Sequence, residues 1–422
     1  MTNGKAGNMA ITVETLMSLN EDALDQLFNR SAEYLDFMDI VAEIVETVRK
    51  VGDKAVWDYT KKFDDVNIDQ IEVDRYEIES AREMVDSEIL KHLELAHKNI
   101  LAYHLRQKER EFWMDEITDG IVLGQKRVPI SSAGAYVPAG YPSTALMTVT
   151  PAKVAGVPQI VVATPPRRDG SIDPLLLVAA DMAGADRIFK VGGAQAIGAL
   201  SCGTETVPKV SKIVGPGNVY VTAAKIYVRS KGYCEIDFPA GPSEILILAD
   251  AGANADWIIA DMRAQEEHDK MAVSLLLTTS ERIASEVSTA IDSSQSRIFL
   301  INTLKEGIEF INRYAPEHLE ILTEDPLKIL EEITSAGSIF LGGYSPVAAG
   351  DYASGTNHAL PTAGYGRVFS GLSLDSFMKT MSIQMLTKRG LERIKDATVA
   401  LARYEGFDEH ARSIIARFST EE

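Results

Sequence analysis

The sequence predicts an α/β protein built from two units of largely parallel sheet, with helical segments at both ends. Three observations carry this. From Val128 onward, short β-branched and aliphatic runs alternate with amphipathic stretches. Strand, helix, strand in succession is the signature of parallel sheets, because a parallel neighbour is reached only by a crossover. The number of these runs implies two such units.

The N-terminal third reads mostly as helix. In "YLDFMDIVAEIVETVRKVGDKAVWDYTKKF" apolar residues recur three and four apart, at Ile40, Val41, Ile44, Val45 and Val48. "SAREMVDSEILKHLELAHKNILAYHLRQKERE" continues the pattern to Glu111. His92, His97 and His104 stand there among charges and are expected to be solvated rather than ligands. Strands follow. "IVVAT" (Ile160 to Thr164) is closed by Pro165 and Pro166. "RIFKVGG", "KIVG", "EILILAD", "AVSLLLTT" and "SIFLGG" have the same texture. "NVYVTAAKIYVR" and "SERIASEVSTAID" are amphipathic stretches between them. The C-terminal segment returns to helix, ending in "ALARYEGFDEHARSIIARF".

A chain of 422 residues is long enough for two or three domains and a large core. The net charge of -19 repels phosphate backbones, so no nucleic acid partner is expected. The only cysteines, Cys202 and Cys234, exclude a disulfide scaffold and a CxxC zinc site. Two thiols in a reducing compartment are expected. The first residues lack the unbroken apolar core of a signal peptide. No run approaches the roughly 20 apolar residues that span a bilayer. We expect a soluble cytoplasmic protein with no membrane partner.

Ligands of parallel sheets bind beyond the carboxyl ends of strands. Two such loops are glycine-rich: "VGGAQAIG", opening a helix at Gln195, and "VGPGNVY", opening one at Asn218. Backbone amides at a helix start can hold phosphate, and a tight turn without ligand is the alternative. In "NADWIIADMRAQEEHDK", Ile258, Met262 and Gln265 form one stripe, and His268 continues it. A polar pair ending a buried stripe needs partners. A metal would satisfy both, as would hydrogen bonds at a helix C-terminus. The loop "SPVAAGDYASGTNHALPTAG" holds Asp351, an oxygen ligand or a turn former, and His358, a ligand or a packing residue. "YEGFDEHAR" sets Glu405 near His410. Gln265, His268, Asp351 and His410 together offer two imidazoles, a carboxylate and an amide oxygen, a set that suits zinc with a position left for substrate. "RYAPEHLEIL" places Glu317 beside His318, either a pair of proton-transfer groups or surface polar residues before a helix.

These motifs resemble the histidinol dehydrogenase family. The matching stretches are "KIVGPGNVYVTAAK", "DFPAGPSEILILAD", "AQEEHD", "NRYAPEHLEI", "AGSIFLGGYSPVAAGDYASGTNHALPT", "FSGLSLDSFMK" and "EGFDEHA", in the family's order. The resemblance implies two incomplete Rossmann-like parallel-sheet domains with helical arms. Residues 1–25 would be an N-terminal helical arm. Residues 26–130 with 241–372 would form a first domain carrying a zinc site, and 131–240 a second, nucleotide-binding domain. Residues 373–422 would be a C-terminal arm completing the partner subunit's site in an intertwined homodimer.

The resemblance further implies a zinc-dependent, NAD-linked four-electron oxidation of L-histidinol to L-histidine through histidinal, in the last steps of histidine biosynthesis. The implied zinc ligands are Gln265, His268, Asp351 and His410. The implied substrate contacts are Ser243, Gln265, His268, His318, Asp351, Glu405 and His410. Tyr136, Gln195 and Asn218 are the implied NAD contacts. His318 would take the proton of the substrate hydroxyl, and Glu317 would activate the water that adds to the aldehyde. Zinc would orient the substrate through its imidazole and amine, and Glu405 would pair with a cationic or N–H part of it. "YVPAGYPSTALM", which carries Tyr136, is shorter than the family's usual stretch. That keeps open a related zinc and NAD dehydrogenase of another small alcohol, such as a sulfonated diol. A non-catalytic zinc or ligand-binding homologue is the third alternative.

Overall fold

The computed structural model describes residues 11–30, 33–268 and 270–418. Residues 1–10 of the expected N-terminal arm and 419–422 of the C-terminal arm lie outside the described residues. The chain forms two compact units. One joins Met1–Gln107 to Ile130–Phe377, and the other joins Lys108–Pro129 to Met378–Glu422.

The first unit holds two all-parallel sheets. One has six strands in the order Val13–Thr15, Ser296–Leu300, Val273–Thr278, Glu244–Ala249, His318–Leu322, Ser338–Leu341. The other has five, in the order Arg187–Lys190, Ile160–Thr164, Ala133–Tyr136, Lys212–Val214, Glu235–Ile236. Both grow outward on one side of a central strand and then return to its other side. This reversal leaves a crevice between Ala133–Tyr136 and Lys212–Val214, and another between Glu244–Ala249 and His318–Leu322.

Helices cover both faces of each sheet, which is why strands such as Ile160–Thr164 are continuous aliphatic runs. Side chains of a strand alternate between faces. Ile160 and Val162 pack with Leu93, Ile100, Leu146 and Leu176 on one side. Val161 and Ala163 pack with Val41, Val45, Val48 and Ile197 on the other. The helices Met38–Val51 and Ser87–Arg106 therefore lie on opposite faces of the five-stranded sheet. In the six-stranded sheet, Leu246 and Leu248 join Phe299, Ile311 and Leu319. Ile245 and Ile247 join Ile258, Met262 and Val287 on the far side.

The second unit is an antiparallel sheet of three strands, ordered Met378–Leu386, Ile121–Pro129, Phe112–Thr118, followed by the helices Lys388–Tyr404 and Asp408–Ala416. This sheet departs from the helical reading of the C-terminal segment. Its hairpin turns at Asp119 and Gly120, with Gly120 at a φ of 80°. An Asp-Gly pair between two alternating runs is a strong hairpin signal, because the turn needs positive φ. His104 also corrects an expectation. It is fully buried and bonded through Nδ1 to Gln107 Oε1 and through Nε2 to Asn357 Nδ2, at 2.8 and 3.3 Å.

Candidate functional site

Glu317 and His318 are both buried, at 6% and 2% exposure, which removes the surface alternative. They sit where the chain enters the strand His318–Leu322, next to the start of Glu244–Ala249. The helix Ala255–Glu266 follows Glu244–Ala249 and runs back along the sheet. Its C-terminal end therefore returns to the edge where the strands begin, bringing Gln265 with it.

The bonds at this edge hold Glu317 and His318 at different atoms. The Ser243 hydroxyl donates to Glu317 Oε2 at 2.7 Å, and the Glu244 amide donates to the same oxygen at 2.9 Å. Gln265 Nε2 donates to Ser243 Oγ at 2.9 Å. His318 Nδ1 faces the Glu244 carbonyl oxygen at 3.1 Å. A carbonyl only accepts, so Nδ1 carries the hydrogen and the neutral ring has its lone pair on Nε2. That Nε2 lies 3.7 Å from Asp351 Oδ1, and His268 Nε2 lies 3.8 Å from Asp351 Oδ2. His358 Nδ1 donates to the Asp351 carbonyl oxygen at 2.8 Å, and its Nε2 meets Thr144 Oγ1 at 3.2 Å. His358 thus takes the packing role left open for it.

Burial pushes the Glu317 carboxyl up to about 7, against the pull of His318 and Ser243. Burial alone would lower His318, but the Glu317 and Asp351 carboxylates outweigh it and push the imidazole up to about 9. Burial would likewise raise Asp351, yet His318 holds its carboxyl below the usual range.

Glu244 is a residue that sequence reasoning missed. Its amide and carbonyl hold Glu317 and His318, and its Oε1 accepts the Glu317 amide at 3.3 Å. Arg30 pairs with its other oxygen, which also accepts the Tyr314 hydroxyl at 3.1 Å. The one signal was "AGPSE", where Glu244 follows Ser243.

Gln265 Oε1 and His318 Nε2 are enclosed with no hydrogen-bond partner. Such orphaned polar atoms carry a desolvation cost unless a ligand answers them. Among the described residues, no group of three or more His, Cys, Asp and Glu side chains could hold a metal ion on its own. The donors gathered here are instead an amide oxygen, the Asp351 carboxylate and the His268 imidazole, a mixed N/O set that suits zinc with a further ligand. Glu405 and His410 belong to the second unit, at the C-cap of Lys388–Tyr404 and on Asp408–Ala416, and both are exposed there.

The NAD candidates gather at the carboxyl edge of the five-stranded sheet. Tyr136 ends its central strand and is buried; its hydroxyl oxygen accepts the Gly193 amide at 3.1 Å. Burial pushes that phenol up to about 12. Gly215, at a φ of 110°, follows Lys212–Val214, and any Cβ there would strike the Tyr136 carbonyl oxygen. Gln195 is buried with Nε2 unpartnered. Asn218 caps the helix Val219–Ser230, accepting the Tyr220 and Val221 amides at 3.1 Å each.

Two parallel sheets, one edged by a buried Glu–His pair and the other by glycine-rich turns at a crevice, define an α/β enzyme. The histidinol dehydrogenase family model matches residues 28–418. The chain is 51% identical over 421 residues to the histidinol dehydrogenase of Methanosarcina mazei, covering 96% of this chain and 97% of the relative. It is 44% identical to that of Bacillus anthracis, covering 98% of each. A crystal structure of histidinol dehydrogenase from Elizabethkingia anophelis matches with a TM-score of 0.91 at 38% identity, covering 99% of each chain. The chain belongs to the histidinol dehydrogenase family.

Proposed function

We propose that this oxidoreductase of histidine biosynthesis converts L-histidinol to L-histidine through histidinal, using zinc and two NAD per turnover. One observation carries the reading. Two buried groups able to take protons stand side by side, each held by different bonds at a different atom. Oxidation of an alcohol to an acid needs two proton acceptors at one carbon. His318 takes the hydroxyl proton through Nε2 as the first hydride leaves to NAD. Glu317, aimed by Ser243 and Glu244, takes a proton from the water that adds to the aldehyde. The hydrate then gives its second hydride to a second NAD, and the acid results.

Zinc held by Gln265, His268, Asp351 and His410 of the partner subunit would bind the substrate imidazole and amine and so orient the reacting carbon. Ser243 adds a hydroxyl on the substrate side. Tyr136, Gln195 and Asn218 would border the nucleotide, which assigns it to residues 131–240. The exposed positions of Glu405 and His410 suit residues that serve a second copy of the chain, so the active form would be a homodimer working in the cytoplasm. Among the described residues no helix is long and apolar enough to cross a membrane.

The test is to strip the purified protein with a chelator and then add zinc back. NADH formation from L-histidinol should vanish and return. Full activity after the metal is gone would overturn the zinc assignment.

A further inference from the structure

The strand His318–Leu322 carries a second buried acid that the proposed reaction does not use. Glu320 is 1% exposed. It stands two residues after His318, so both side chains lie on one face of the sheet. Its Oε1 accepts the Val347 amide at 2.9 Å, at the first residue of the helix Val347–Tyr352, which carries Asp351. Its Oε2 is enclosed and finds no donor. The side chain also interacts with another carboxyl, that of Asp261. Asp261 precedes Gln265 by one turn on Ala255–Glu266, so the two share a helix face.

Two ionised carboxylates cannot bond to each other, but an acid and a carboxylate can. Burial, with the Asp261 charge beside it, pushes Glu320 up to about 8, and burial raises Asp261 as well. His318, on the same strand, pulls Glu320 the other way without reversing the shift. A proton held between the two acids would let them bond.

We propose that Glu320 and Asp261 share one proton and thereby clamp the helix of Gln265 to the helix of Asp351. Both are positioning residues: the clamp sets the spacing of two metal ligands without touching metal or substrate. Its effect on zinc rests on the zinc assignment above. The clamp itself does not.

The test compares E320Q with E320L, and D261N with D261A, in the full chain. A glutamine still accepts the Val347 amide and offers Asp261 a permanent N–H, so it copies the shared proton. Leucine does neither. Asp261 is only half-buried, so its variants leave a folded protein to measure if E320L does not fold. Hydrogen exchange over residues 345–352 reads the clamp without metal, and chelator competition reads zinc affinity. E320Q and D261N should keep slow exchange and zinc affinity within about twofold of the parent. E320L and D261A should exchange faster and lose zinc affinity by about tenfold or more. Parental exchange and affinity in D261A would overturn the clamp, as would losses in E320Q equal to those in E320L. A parent chain that binds no zinc would sink the metal assignment alone, and the exchange comparison would still decide the clamp.

Discussion

His318 turns its Nδ1 to the Glu244 carbonyl oxygen, 3.1 Å away, and that bond sets which nitrogen can act as a base. The other nitrogen, Nε2, is enclosed and unpartnered beside Asp351. His318→Asn should therefore lower kcat by about 10²- to 10⁴-fold, the usual worth of a positioned base. Zinc content, read by atomic absorption, should stay at the parental level. Unchanged turnover would remove His318 from the chemistry.

Glu317 predicts opposite effects on activity and stability. Its carboxyl titrates at about 7 in the fold, against an ordinary value of 4.5. The folded state thus binds this proton more tightly than the unfolded chain. The stabilisation is complete below the unfolded value and is lost as pH rises through about 7. The proposed base form of Glu317 appears over the same rise, and the free Nε2 of His318 only as pH approaches about 9, so turnover should climb from below pH 7 up to about pH 9. Glu317→Gln should abolish oxidation of the aldehyde-level intermediate. It should also be more stable than the parent at pH 8, by on the order of 1 kcal/mol or more, and so melt at a higher temperature. Equal melting of the two at pH 8 would show that the buried charge costs nothing.

Arg30 is the cation paired with Glu244, and its guanidinium also lies 3.4 Å from the centre of the Tyr314 ring. Glu244 is buried, so removing its cation strands a charge in the core. Arg30→Met should cost about 3 kcal/mol of stability. It should also lower kcat, because Glu244 holds both Glu317 and His318. Denaturant unfolding with kinetics on the same sample checks both. A large loss of stability with unchanged kcat would separate Glu244 from the site.

Tyr136→Phe removes the acceptor of the Gly193 amide. Losing one such bond, worth about 1 kcal/mol, should raise KM for NAD by about fivefold and leave KM for histidinol unchanged. A rise in the histidinol KM alone would place Tyr136 outside the nucleotide site.

Much of the scaffold was legible because strands buried on both faces must be aliphatic throughout. "IVVAT" and "EILILAD" are of this kind. "HLEIL" was not legible: His318 and Glu320 interrupt the apolar run, and only the fold shows that their shared face is enclosed. "AGAY" carries no β-branched residue, yet Ala133–Tyr136 is the central strand of its sheet. The hairpin at Asp119–Gly120 is announced by its turn, yet it lies between the helical reading that ends at Glu111 and the strands read from Val128, where no element is expected. Periodicity also located the apolar faces of Met38–Val51 and Ser87–Arg106, but a face does not name its partner.

Gln265 and His268 could be singled out by helical spacing. For Glu317 and His318, local spacing pointed to the surface, and only the family resemblance pointed to a site. The role of Glu244 lies in bonds to Arg30 and Tyr314, both remote in sequence, so no local pattern could carry it.

The most direct test of the central claim is a stoichiometry. Limiting L-histidinol should be consumed to completion by the zinc-loaded protein with excess NAD, and NADH and L-histidine counted. Two NADH and one L-histidine per histidinol are predicted. One NADH with histidinal as the end product, or none at all, would contradict the account of Glu317 and His318 as two bases serving one carbon.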